Sequence, residues 1–196
     1  MLHKGLLCFY SDFFRAAFEG SFKEANEGKI ELPDATVDIF ETLQVWLYSQ
    51  SLRNVEDSED SSKSSEFPSF EILARLWAFG DRYQIPLLQN LAIDALVQKL
   101  HDISKFDTIV VKVAYEETMK DSPLRRFAID CCVFRMCHRL DQDSIFRDSD
   151  LCCWSKEAFV DFACCMSDAW ERKLPKRKMP DRNKCHYHVH TKGEHC

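Results

Sequence analysis

Residues Leu2–Phe22, LHKGLLCFYSDFFRAAFEGSF, decide the fold. Their apolar residues come in two bursts, Leu6-Leu7 with Phe9-Tyr10, then Phe13-Phe14 with Ala16-Ala17-Phe18. In the second burst Phe14, Ala17 and Phe18 recur at helical spacing, which places them on one buried face. Ser11 stands just before that burst, where a hydroxyl accepts a hydrogen bond from a free amide of the first turn. Gly20 follows it and suits the left-handed residue that ends many helices. The expectation is two short helices packed at an angle on aromatic side chains, a nucleus for later elements to cover.

The rest of the chain supplies the cover. Ile30 and Leu32 alternate as a short half-buried strand does, and Pro33 stops the run. Thr36 can cap a helix carrying Val37, Phe40, Gln44, Leu47 and Tyr48 on one side. A helix pair follows over residues 70–100. Ile72, Leu73, Leu76, Trp77 and Phe79 form the first stripe, which ends at Gly80 or at the Tyr83-Gln84 corner. Pro86 opens the second helix, with Leu88, Leu91, Ala92, Ala95 and Leu96 inward. Farther on, Phe106, Ile109, Val110 and Val113 share a face. Ser122-Pro123 starts a helix with Leu124, Phe127, Ala128, Cys131 and Phe134 inward, and Ser155 caps another with Phe159, Phe162, Ala163, Met166 and Trp170 inward. Residues 53–67, RNVEDSEDSSKSSEF, interrupt this pattern. They hold too little apolar surface to offset the entropy of ordering and read as a mobile acidic loop, either a tolerated insertion or a substrate for acid-directed kinases at Ser58.

Length and composition bound the answer. A chain of 196 residues with 45% hydrophobic and 30% charged residues suits one domain plus a helical extension. The net charge of −6 disfavours nonspecific nucleic-acid binding as the main task. No apolar run is long enough to span a bilayer, and Asp12 and Arg15 interrupt the N-terminal stretch before it resembles a signal peptide. An intracellular setting, cytoplasmic or nuclear, is expected. Six of the ten cysteines lie in adjacent pairs inside or beside helical patterns, where a free thiol behaves as a small apolar residue.

HKGLLCFYSDFFRAAFEGSFKEA, followed by IELPDATVDIFETLQVWLYS and FGDRYQIPLLQNLAID, closely resembles BTB/POZ domains, most of all the large group of fungal BTB proteins. His3, Lys4, Leu6, Leu7, Ser11, Phe13, Phe14, Phe18, Glu24, Ile30, Leu32, Phe40, Trp46 and Tyr48 occupy the positions of that pattern. The resemblance implies an α+β, mostly helical fold: a BTB/POZ-like domain over residues 1–101, a helical extension over 102–171 and a flexible basic tail over 172–196. BTB domains normally begin with a strand hairpin running into the His-Lys pair. Here the chain starts at Met1-Leu2, so a small sheet remnant with Ile30–Leu32 as an edge is expected.

The resemblance also implies the function: a protein–protein interaction module that self-associates as a homodimer. BTB adaptors that recruit a cullin scaffold of ubiquitin ligases carry a hydrophobic-x-Glu motif after the second helix. Phe22-Lys23-Glu24 stands at that point. Either Phe22 fills an apolar pocket of the partner and Glu24 adds a polar contact, or Phe22 covers the core and Glu24 is solvated.

Two further features lie in the tail. Lys173, Lys176, Arg177, Lys178, Arg182 and Lys184 form a basic run, the basis of an alternative reading as a nuclear regulatory protein. Cys185, His188, His190 and Cys196 offer two thiolates and two imidazoles to a tetrahedral zinc, although their spacing matches no standard finger. No other cofactor is expected. Gly-rich phosphate loops, nucleophile elbows and paired-histidine metalloprotease helices are all missing from the sequence. Cys137-His138 are helix neighbours pointing in different directions, so a zinc- or thiol-dependent enzyme is the remotest reading.

Overall fold

In the computed structural model of the chain, the described residues are 2–33, 35–52, 67–102, 106–138, 154–171 and 184–190. They form α1 (Lys4–Tyr10), α2 (Asp12–Glu19), α3 (Lys23–Glu27), α4 (Val37–Ser49), α5 (Phe70–Arg82), α6 (Pro86–Asp102), α7 (Ile109–Glu117), α8 (Pro123–His138), α9 (Lys156–Glu171) and a 3-10 turn, Lys184–His186. α5 pairs with α6 and α7, and α8 lies between α7 and α9. α1 and α2 pack on each other.

The opening stretch folds as its spacing predicts. Ser11 caps α2 by accepting the Phe14 amide at 3.0 Å, and the same hydroxyl donates to the Tyr83 carbonyl at 2.5 Å. Phe14 is fully buried and stacks on Tyr83 with centroids 5.5 Å apart, while Phe13 meets the same ring edge-on at 5.2 Å. The N-terminus of α2 is thereby fastened to the corner between α5 and α6. That corner turns on Gln84, whose φ of 53° is left-handed. α5 runs on through Gly80, where a Cβ would come within 2.8 Å of Gln89 Cγ, so glycine there lets α6 approach.

Several sequence expectations are corrected. Gly20 ends α2 with φ −80° rather than in the left-handed region. What requires glycine is space, because a Cβ would lie 2.5 Å from the Ala16 carbonyl oxygen. Ile30–Leu32 is extended without a ladder partner, and among the described residues there is no strand. The alternation nonetheless has a use, since Ile30 and Leu32 pack partly buried on the core.

The buried face of α4 is Ile39, Leu43, Trp46 and Leu47, rotated from the predicted stripe; Val37 and Tyr48 are exposed. Both sets satisfy helical periodicity, and the burial of the large Trp46 ring selects between them. α9 likewise turns Ala158 and Phe162 inward, with Cys165, Met166 and Ala169 packed behind them. Ala163 lies open, and Trp170, predicted inward, is 86% exposed.

Phe67, assigned to the acidic loop, is buried, and its carbonyl accepts from Lys99 Nζ at 3.3 Å. The remainder of that loop, 53–66, lies outside the described residues. Within the tail, residues 184–190 are docked on α6 and α8 through a buried Tyr187 instead of standing free in solvent.

Phe14→Ala removes a buried ring with no room for the neighbours to collapse and is expected to cost about 3–5 kcal/mol in urea unfolding. Ser11→Ala removes a cap and a buried interhelical bond and is expected to cost about 2–4 kcal/mol. A loss under about 1 kcal/mol for either would contradict this assignment of the nucleus.

Candidate partner-binding site

The turn between α2 and α3 carries the predicted partner residues. Phe22 precedes α3 with extended backbone, φ −79° and ψ 164°, and its carbonyl accepts the Ala25 amide at 3.1 Å to start the helix. Its side chain is 59% exposed. The residue is therefore more open to solvent than packed on the core. Gly20 also makes room for this ring, because a Cβ there would approach Phe22 Cδ2 to 3.1 Å. Glu24 is half-buried in the first turn of α3, where a carboxylate complements the helix N-terminus. Lys23 between them is solvated and pairs with Glu27 at 3.6 Å.

The platform beneath is held by polar bonds that explain residues of the opening motif. Lys4 Nζ donates to the Phe18 carbonyl at 2.9 Å near the end of α2, and Arg15 Nε donates to the Cys8 carbonyl at 3.1 Å, joining α2 to α1. His3 Nδ1 and the Tyr48 hydroxyl lie 2.6 Å apart, tying the start of α1 to α4. The aromatic bursts thus fold into a support that leaves Phe9 and Phe22 largely in water. Such an arrangement can insert one anchor into a pocket of another protein.

The family model of the BTB/POZ domain matches residues 1–100 of this chain. The chain belongs to the BTB/POZ family. Among curated relatives, it is 28% identical to the BTB/POZ and MATH domain-containing protein 3 of Arabidopsis thaliana over 128 residues, 65% of this chain and 30% of that protein. It is 25% identical to the TD and POZ domain-containing protein 3 of Mus musculus over 131 residues, 66% of this chain and 33% of that one. The chain therefore spans about a third of the length of these relatives. No solved structure matches. With plant and mouse relatives, the assignment stands at the level of BTB/POZ, an interaction module, rather than of a fungal subgroup.

Of the four zinc candidates, Cys185, His188 and His190 are described, and they are not part of a metal-holding group of described residues. His188 Nε2 lies 3.1 Å from Asp94 Oδ1, and the rings of His188 and His190 are 6.2 Å apart. Cys185 is half-buried, and Cys196 lies outside the described residues, as do most of the basic run and the side chains of Cys137 and His138. Among the described residues, no group of three or more His, Cys, Asp or Glu side chains could hold a metal. No described helix is long and apolar enough to cross a membrane.

One hub in the extension was not foreseen. Arg125 of α8, 8% exposed, donates to the carbonyls of Ala114, Tyr115 and Thr118 and pairs with Glu157 at 2.9 Å, joining α7, α8 and α9. In the sequence Arg125 belongs to Ser122-Pro123-Leu124-Arg125, which with Tyr115-Glu116-Glu117-Thr118 resembles the C-terminal extension of fungal BTB proteins, but its bracing role has no local signal. Tyr115 donates to Asp161 at 2.6 Å, and burial followed by that carboxylate pushes the phenol far up. These groups line a cleft of about 360 Å³ together with Asp130, Cys164 and His186. Their bonds to one another make them structural braces.

Cys131 and Cys132 on α8 are fully buried, and desolvation pushes the Cys132 thiol from 9.0 up to about 12 and Cys131 well up. Between those values the folded chain holds protons that the unfolded chain releases. This contribution is therefore intact below pH 9 and is lost as pH rises through the folded value. Stability is expected to fall as pH rises from about 9 toward about 12, by up to ~1.4 kcal/mol per pH unit for Cys132. Cys132→Ala should flatten the slope in chemical unfolding; an unchanged slope would contradict the assignment.

Proposed function

We propose that this BTB/POZ chain is a substrate adaptor for a cullin-based ubiquitin ligase, engaging the cullin through Phe22 with Glu24 beside it, and that it self-associates. The observation carrying the first part is a large aromatic side chain 59% exposed on a turn whose backbone is fixed by the α2 and α3 ends. A ring held largely in water at the position of the motif is available to an external apolar pocket, where one buried aromatic anchor can carry much of the affinity. Self-association is supported by the open faces of α1 and α4, where Phe9 is 72%, Val45 41% and Tyr48 50% exposed. We assign the chain no reaction, and we place it in the cytoplasm or nucleus, a setting that suits the thiols of Cys8, Cys131, Cys132 and Cys164.

Full-length protein is expected to be retained by an immobilised cullin N-terminal domain. Phe22→Ala should weaken retention at least about tenfold, a typical loss for a buried anchor, and Glu24→Ala less, both with unchanged helical signal. Equal recovery of all three proteins would end the adaptor role. In light scattering the expected mass is twice the 22.9 kDa of one chain, and a strict 22.9 kDa would end self-association.

A further inference from the structure

Residues 184–190 occupy a groove whose walls are α6, within the matched BTB/POZ span, and α8 of the extension. Tyr187 is 4% exposed; its ring meets Phe127 edge-on at 5.5 Å, and its hydroxyl donates to Asp130 Oδ2 at 2.6 Å. His188 reaches Asp94 on the opposite wall. Asn90 then reads the backbone of Val189 twice, accepting its amide at 2.7 Å and donating to its carbonyl at 3.0 Å. A carboxamide that clamps both polar groups of one residue is how a groove recognises an extended peptide, since it needs no particular side chain at that position.

The walls do not rely on the occupant. α6 is packed against α5, and α8 against α7 and α9, with Arg125 bracing the latter three. The occupant is a short segment held by the Tyr187 ring, by Val189 packed on the core and by side-chain bonds, and it is separated in sequence from α9 by residues 172–183. We propose that the α6–α8 groove is a peptide-docking surface specific for tyrosine followed two positions later by a clamped backbone, and that residues 184–190 are its ligand in cis. Docked, the segment clasps the extension to the BTB/POZ domain. Released, it bares an aromatic-floored, acid-edged groove.

The test uses the full chain and a labelled peptide of residues 184–190 with Cys185→Ser. Tyr187→Ala empties the groove of its ring and is expected to bind the peptide at least tenfold more tightly than wild type, whose groove is filled. Asn90→Ala, which keeps the ring but removes the clamp, should speed amide exchange of residues 187–190 at least tenfold. Equal peptide binding by wild type and Tyr187→Ala, or unaltered exchange in Asn90→Ala, would overturn the proposal. Loss of the helical signal in Tyr187→Ala would also overturn it, because the segment would then be core. A dimer mass abolished only by Tyr187→Ala would place the segment in a second copy and overturn the cis assignment.

Discussion

The hydroxyl of Ser11 faces two ways, and the described fold hangs on that. It satisfies the first turn of α2 and, through the same oxygen, reaches the Tyr83 carbonyl at the α5–α6 corner. Residues 72 positions apart are thereby locked in one geometry, with Phe14 stacked on the Tyr83 ring to exclude water from the bond. A buried hydrogen bond shielded in this way is hard to replace, because losing one partner strands the other away from solvent. Once the corner is held, Trp46 and Trp77 have a surface to bury against, and both are fully buried.

From that lock the functional geometry follows. α2 is short and ends at a glycine pressed on the Ala16 carbonyl, so the chain leaves it at a fixed angle and Phe22 emerges into solvent. The phenylalanines of one 21-residue stretch thus divide into two roles: Phe14 and Phe18 build the support, and Phe9 and Phe22 project from it. The same logic recurs in the extension, where Arg125 organises α7, α8 and α9, and Tyr187 packs on Phe127 of α8.

Much of this was legible in the sequence because strong local signals agreed. Ser before an aromatic burst, Thr36 before an apolar helix and Ser122-Pro123 each named a helix start, and the structure has them. The predicted inward residues of α5, α6 and α8 are nearly all buried, but α6 and α8 bury further faces that one stripe did not reveal, Ile93 on the first and Ile129, Cys132 and Val133 on the second. In α4 and α9 more than one set of apolar residues satisfied helical spacing, and only the neighbouring helices decide which go inside. Ile30–Leu32 had the alternation of a strand, but a ladder needs a partner that periodicity cannot supply. The docked segment was hidden for another reason: its Cys and His residues drew attention to metal, while Tyr187 between them carried the burial.

The central claim is that α2 is fastened to the α5–α6 corner by the Phe14–Tyr83 stack around the Ser11 bond. A double-mutant cycle of Phe14→Leu and Tyr83→Leu, read by urea unfolding, tests it most directly. The account predicts a coupling of about 0.5–1.5 kcal/mol between the two substitutions, as for stacked aromatic pairs in contact. Strict additivity of the two losses would contradict it.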